Sequence, residues 1–526
     1  MRILAAYAVA MALLWLLGSI SEIASAQSGT GVIRVAPSGT DALGCGSVTL
    51  PCRTVQYAVD QAEEGDEIRI AAGIYTDVSV RSGVTQVVYI DKSVTLRGGY
   101  SPEDWEHPSP DIHPSILDAQ GQGRVIYVTG AISLTVEGLH ITGGDATGLG
   151  GGPGGFDAGG GIYVRRATVI LRDNGIYSNT ASTAGQGYGG GMFLHQGNAT
   201  ISGNTVQGNV ASVADLGEGG GLGIVFSTAT LDGNLVRANT ASAGGRGSGG
   251  GIYAYEADVT LRDNLVEGNV ASTASVGYGG GLRLFKSDAV LGGNTIRDNV
   301  ASTASLGLGG GLSLWYTRAA LEGDSIIDNA ATPGFSRLSL GGGIDIFRSA
   351  PVTMTNTMIA QNRASTRGSG LHIEGAMEEP ALGRVLHTTV ADNVGDGPTI
   401  FVGEAATLAL TNTIIAGHQG AGVYAVMGST VTLEATLWWD NGLNTDGGGA
   451  ISTGTISITD DPAFVHPAVR DYHLTPWSAA IDMGVDAGVT QDIDGDARPA
   501  AGGYDIGADE YIRYTDTLLY LPLMFR

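Results

Sequence analysis

Several things are scarce in this chain. Its 526 residues include only two cysteines, Cys45 and Cys52, and two lysines, Lys92 and Lys286. So few cysteines exclude a disulfide-dense scaffold, and no further metal ligands lie near the pair. In an exported chain the two are free to form one bridge near the mature N-terminus. The near absence of lysine reads as genome composition. Proline is low at 16 and glycine high at 85, yet no Gly-X-Y period runs through the chain, which excludes collagen. Charged residues make up only 15%, but the balance is strongly acidic, net −25. Such a surface repels nucleic acid and anionic lipid, so neither is an expected partner. It attracts divalent cations, or simply keeps a long protein soluble. An apolar content of 43% is enough for a continuous core.

Long apolar runs are missing too, with one exception. Residues 1–26 read as a secretory signal peptide: Arg2 gives the positive start, Ile3 to Leu17 are almost all apolar, and Ala24-Ser25-Ala26 is a small-residue cleavage site. The alternative is an uncleaved membrane anchor. No cysteine follows the run directly, which argues against a lipoprotein, and no later segment reaches the ~18 apolar residues that span a bilayer. The expected location is therefore secreted, extracellular or attached to the cell surface, with no transmembrane segment once the signal is removed.

What the chain does have is repetition. Gly-Gly-Gly recurs at 159–161, 189–191, 219–221, 249–251, 279–281, 309–311 and 341–343, spaced 30 residues five times and then 32. Two asparagine columns run in phase: Asn179, Asn209, Asn239, Asn269, Asn299 and Asn329, and Asn174, Asn204, Asn234, Asn264 and Asn294, which Asp324 continues. Each unit holds three short apolar runs. The first alternates, with Ile252 and Ala254 typical of its inward positions; the second centres on Leu261 and the third on Val266. Period two means strand, and nothing here has helical spacing. One coil cannot bury its own core, but stacked coils can. The expectation is an all-β right-handed parallel β-helix with three short strands per coil and about 30 residues per coil. In-register asparagines would form amide ladders and tolerate the left-handed turn between sheets. The segment from Ser272 to Tyr278 would be a stacked surface loop. A β-propeller is the runner-up, but its blades need ~40–45 residues and four strands. Near the N-terminus, Val55 to Ala62 reads as a short helix capped by Thr54, placed to cover the open end of the coil.

The stretch "VAPSGTDALGCGSVTLPCRTVQYAVDQAEEGDEIRIAAGIYTD", continued by "VTLRGGYSPEDWEHPSPDIHPSILDAQGQG", resembles the N-terminal cap and first coil of bacterial proteins of the pectate-lyase-like superfamily. The Gly-Gly and Asn repeats are similar to those of chlamydial polymorphic outer-membrane proteins, although no C-terminal membrane barrel is evident. "SAAIDMGVDAGVTQDIDGDARPAAGGYDIGADEY" resembles the choice-of-anchor Q region near the C-termini of bacterial surface or exported β-helix proteins, which implies surface association and carries no known catalytic assignment. The expected divisions are a signal peptide (1–26), cap and first coils (27–150), regular repeats (151–370), irregular coils (371–458), the anchor-like region (459–512) and a tail (513–526).

Three groups of side chains are candidates for chemistry. Asp492, Asp494 and Asp496 alternate around Gly495 and could converge on Ca²⁺ with Asp482 or Asp505, although Gly503 at the twelfth position excludes an EF-hand. The other reading is a solvated turn with Arg498 as a salt-bridge partner. Tyr255, Phe285, Trp315 and Phe347 would stack on the outer face of the first strand as a platform for a polysaccharide or a surface protein, unless loops fold over them. Asp345, His372 and Glu374 would fall on adjacent coils, where carboxylate and imidazole could serve acid–base chemistry. The resemblance argues against catalysis. The Asn-Thr-Asp, Asp-Asp, Gly-His-Gly and Arg-Ile-Lys segments of polygalacturonase-like enzymes are absent as a set, and Asp460-Asp461 stands alone. Arg283 lacks the acidic neighbours a pectate lyase needs, since Tyr253 and Ser313 flank it. The first functional expectation is a non-enzymatic surface protein acting in adhesion, the envelope or the matrix. The second is a protein that binds or cleaves polysaccharide.

Overall fold

A computed structural model describes residues 31–334, 338–500 and 502–512. The expected signal peptide at 1–26 and the expected tail at 513–526 lie outside the described residues. Among these, no helix is long and apolar enough to cross a membrane.

One regular coil shows how the residues dictate the path. Gly249 turns the chain at φ 61°, and Gly251 lies so close to the next coil that a Cβ there would sit 2.9 Å from the Gly281 carbonyl oxygen. The first strand, Ile252–Tyr255, buries Ile252 and Ala254. After a corner at Glu256 the second strand, Asp258–Arg262, buries Val259 and Leu261. The third, Leu265–Glu267, buries Val266. The segment expected to be a loop, Ser272 to Tyr278, begins at the end of one more short strand, Val270–Ser272, and ends in another, Gly277–Tyr278. Each strand pairs in parallel with its counterpart one coil on. First strands form a 14-stranded sheet, second and third strands share a bent 26-stranded sheet, and the added strands form sheets of five and seven. The chain is a right-handed parallel β-helix.

The asparagine columns form the expected ladders. Asn239 is fully buried. Its Oδ1 accepts the main-chain N–H and the Nδ2 of Asn209, both at 3.0 Å, and its Nδ2 donates to the Val206 carbonyl at 2.9 Å and to Asn269 Oδ1 at 3.0 Å. Both amide protons and both oxygen lone pairs are thus satisfied without water. The left-handed turns, however, are not made by the ladder asparagines. The residue before each takes positive φ instead, such as Asp263 at 52° and Gly268 at 62°. A ladder asparagine must aim its amide along the coil axis, so the bend passes to its neighbour.

Coil size then shrinks. Ladder partners Asn299 and Asn329 are 30 residues apart, Asp345 and His372 are 27 apart, and His418 and Asn441 are 23 apart. In the small coils the second and third strands merge into continuous bent strands, as in Ala406–Ala416.

At the N-terminal end the helix Val55–Gln61 is capped by Thr54, whose Oγ1 accepts the Tyr57 N–H at 3.2 Å. Gln56 accepts the Tyr89 N–H at 2.6 Å and donates to the Tyr89 carbonyl at 3.3 Å, standing in for the strand that a further coil would supply. Cys45 and Cys52 are joined, with Cα atoms 5.0 Å apart.

The 459–512 region folds back along the corner between second and third strands. Asn412 donates to the Val485 carbonyl at 2.7 Å, Asn356 to that of Gln491 at 2.8 Å, and the Tyr472 hydroxyl to Asp392 at 2.9 Å. Its apolar residues Leu474, Ala480 and Ile506 pack on Ile414 and Leu437.

The ladder through Asn174 and Asn294 ends on Asp324, whose Oδ1 accepts the N–H and the Nδ2 of Asn294, each at 2.8 Å. Burial pushes this carboxyl up to about 7. The folded state therefore keeps a proton that the unfolded chain releases near 3.8, and stability contributed by this group falls as pH rises between the two values. Asp324→Asn continues the ladder without the charge. We expect it to gain roughly 1–3 kcal/mol over the wild type at pH 8 and little at pH 4, as read by denaturant unfolding.

Candidate functional site

Successive residues of a strand point to opposite faces, so the first strands carry two outward columns. The one through Tyr163, Phe193, Gly223, Tyr253, Arg283, Ser313, Asp345 and His372 is stacked in register. It is not exposed. The short strands ahead of each glycine run fold over it, so that Tyr188 packs on Phe193 at 6.0 Å and Tyr278 lies against the Arg283 guanidinium at 4.8 Å.

The candidate acid–base group sits inside this layer. Arg283 donates to Ser313 Oγ at 2.5 Å, and Ser313 donates to Asp345 Oδ2 at 3.1 Å. Trp315 Nε1 donates to the same oxygen at 2.8 Å, and His372 Nδ1 lies 2.8 Å from Asp345 Oδ1. Glu374 Oε2 is 3.3 Å from His372 Nε2. Sequence reasoning thus brought Asp345, His372 and Glu374 together correctly but placed them on the wrong side of a wall. Asp345 and His372 are 0% and 1% exposed, whereas the Glu374 side chain is 31% exposed. Burial pulls the imidazole down, but pairing with Asp345 and Glu374 outweighs it, and His372 is held above its ordinary value. The same partner lowers Glu374. Arg283, which sequence reasoning left without acidic neighbours, is brought down to about 10 by burial and supported by Asp345 and, further off, Glu218. Desolvation pushes Glu218 up to about 7. The row is an internal charge network linked from coil to coil.

The second outward column is closed at Val225 but partly accessible from Tyr255 to Phe347. Tyr255, Phe285, Trp315 and Phe347 are half-buried and in register. Ring centroids are 5.4 Å apart for Tyr255 and Phe285 and 4.8 Å for Trp315 and Phe347. Two aromatics that sequence reasoning missed extend the row: Phe226 lies 5.4 Å from Tyr255, and Tyr316 lies 5.8 Å from Phe285. Both sit one residue after the strand, at the corner, where strand alternation gives no signal.

The acidic turn is arranged otherwise than a converging calcium loop. Asp492 Oδ1 accepts the N–H groups of Asp494 and Asp496 at 2.9 and 2.8 Å, and its Oδ2 accepts that of Glu510 at 2.9 Å. Asp505 accepts the N–H groups of Asp482 and Tyr511, both at 2.7 Å. These two carboxylates, both buried, fold the turn, while Asp494 and Asp496 are exposed. Arg498 pairs with Glu510 at 2.8 Å, not with the acidic triplet. Among the described residues, the metal-ligand atoms that gather are those of His473, Asp494 and Asp509, within 4.8 Å of one another.

Comparison with known proteins agrees with the fold. The family model for the right-handed β-helix region matches residues 115–301. No curated protein matches the chain. Among solved structures, pectate lyase Pel9A is 11% identical over 92% of this chain and 97% of that one, with a TM-score of 0.36. The Family 28 exopolygalacturonase of Yersinia enterocolitica is 12% identical over 77% and 75%, with a TM-score of 0.32. PfbA, a surface adhesin of Streptococcus pneumoniae, is 12% identical over 76% and 88%, with a TM-score of 0.29. Likeness this distant carries no argument about function.

Removing the central anion tests the sealed row. Asp345→Ala leaves Arg283 and His372 buried without it and should cost roughly 3–5 kcal/mol of stability. Because the folded pKa of His372 is raised, its stabilisation is fully present below 6.5 and is lost as pH rises through the folded value. The milder Asp345→Asn should flatten that part of the pH–stability curve.

Proposed function

We propose that this protein is an exported, surface-associated β-helix scaffold, serving adhesion, the envelope or the matrix, that works by binding rather than by catalysis. The observation that carries this reading is the burial of Asp345 and His372, which are closed off from solvent and bonded to each other. A general acid or base must reach the proton it transfers, and these two reach only each other, Ser313, Trp315 and, from His372 Nε2, Glu374. The signal-like residues 1–26 support export. The resemblance of 459–512 to choice-of-anchor Q regions supports attachment to a surface. The acidic balance of net −25 supports a solvated, extracellular setting without nucleic acid.

The alternative, a polysaccharide lyase or glycoside hydrolase, rests on Glu374, the partly exposed member of the group. Incubating the mature protein with a panel of neutral and acidic polysaccharides, with and without Ca²⁺, separates the two. The scaffold reading predicts no new reducing ends and no unsaturated products, with the protein recovered on the cell surface by protease shaving. Cleavage that Glu374→Gln abolishes would replace it with the enzymatic reading.

A further inference from the structure

The accessible aromatics form one side of a longer feature. The corner after each first strand is left-handed throughout: Arg166 (φ 59°), Gln196 (56°), Phe226 (52°), Glu256 (46°), Lys286 (52°), Tyr316 (54°) and Arg348 (50°). Glycine suits that conformation best, and bulky aromatics suit it poorly. The next corner of the same coils uses small residues, glycine at Gly203, Gly233, Gly293 and Gly323 and aspartate at Asp173 and Asp263. Large side chains kept in a disfavoured backbone state along one edge point to a use for the side chains themselves.

Beside this edge lies an open cleft of about 800 Å³ lined by Gln196, Asn198, Phe226, Thr228, Glu256 and Asp258. It continues into a second of about 410 Å³ that shares Thr228 and Asp258 and is floored by Ala289, Val290 and Ala320. Ridge and cleft both run across successive coils, parallel to the coil axis, with a rung every ~4.8 Å. The basic side chains along them already have partners. Arg318 is paired with Asp288. Lys286 lies 3.7 Å from Glu256 and over the rings of Tyr255 and Phe285. Arg348 bonds the Tyr316 hydroxyl at 2.9 Å and Glu379 at 3.1 Å, and Arg166 bonds Gln196 at 3.1 Å. An anionic polymer would meet cations of which all but Arg166, bonded to an uncharged amide, lie against carboxylates, and a surface of net −25.

We propose that the ridge from Phe226 to Phe347 and its adjoining cleft bind an uncharged polysaccharide lying along the coil axis. The C–H faces of its sugar rings stack on the aromatics, and its hydroxyls bond the amides of Gln196 and Asn198 and the carboxylates of Glu256 and Asp258. This rests on the reading of the protein as a binding scaffold and names its ligand class.

The test is native affinity electrophoresis of the mature protein through gels containing hydroxyethylcellulose, arabinoxylan or galactomannan, against gels containing polygalacturonate or alginate. The expected result is retardation by at least one neutral polymer and by neither uronate. Phe285→Ala should reduce the retardation several-fold. Phe226→Gly and Tyr316→Gly should do the same while leaving the melting temperature unchanged or raised, because they relieve the corner; a merely structural role would not separate the two readouts. Retardation by uronates alone, by no polymer, or undiminished in the glycine variants overturns the proposal. Any of those results with surface location and lack of cleavage intact leaves the scaffold reading standing, whereas cleavage removes that reading as well.

Discussion

Everything in this molecule depends on one requirement: each coil must present its buried polar groups to the next in register. A ladder asparagine such as Asn239 has no water to turn to, and all of its hydrogen bonds run to the coils before and after it or to their main chain. A ladder residue out of register would leave amides unpaired in the core, at a cost of roughly 1–3 kcal/mol for each group. That penalty keeps the ladder in register even where coil length changes: Asn329, Asn362 and Asn393 remain bonded at separations of 33 and 31 residues, the extra residues lying between ladder positions. Past Asn393 the coils become smaller, with His418 and Asn441 23 residues apart.

The same stacking sorts outward residues by what covers them. Residues in one outward column of the first strand form a sealed row from Tyr163 to His372, because the short strands preceding the glycine runs lie on top of it. Those in the other column, half a pleat away, stay open as an aromatic ridge. Titratable and aromatic groups are thereby separated: Arg283, Asp345 and His372 lie inside the wall, and the surface that solvent reaches offers rings, amides, hydroxyls and carboxylates. The folded-back C-terminal region repeats the logic on another corner, sealing the later coils with its own apolar side chains.

Much of this was legible in the residues. Gly249-Gly250-Gly251, Asn264 and Asn269 each recur for a separate physical reason, and their agreement in phase specifies the coil. Strand alternation placed Asp345, His372 and Glu374 on neighbouring rungs. It could not tell that Asp345 is buried, because the covering strands are only two residues long and too short to show a period. A sign of covering was nevertheless present elsewhere. The outward column of the third strand runs Gln207, Arg237, Glu267, Arg297 and then turns apolar at Ile327, Ala360 and Ala391, where the C-terminal region lands. The turn at Asp492 misled for a local reason: alternating aspartates suit a cation and equally suit a loop that caps its own N–H groups. Phe226 and Tyr316 escaped notice because corners have no alternation to read.

In the native protein the polar row is closed and the aromatic ridge is open. Hydroxyl-radical footprinting of the mature protein, read residue by residue by mass spectrometry, measures this directly. The expected result is ready oxidation of Phe226, Tyr255, Phe285, Trp315, Tyr316 and Phe347, with Tyr163, Phe193, Tyr253 and His372 protected until the protein unfolds. Oxidation of His372 and Tyr253 in the native state at rates matching the ridge would contradict it and return the buried group to candidacy as an active site.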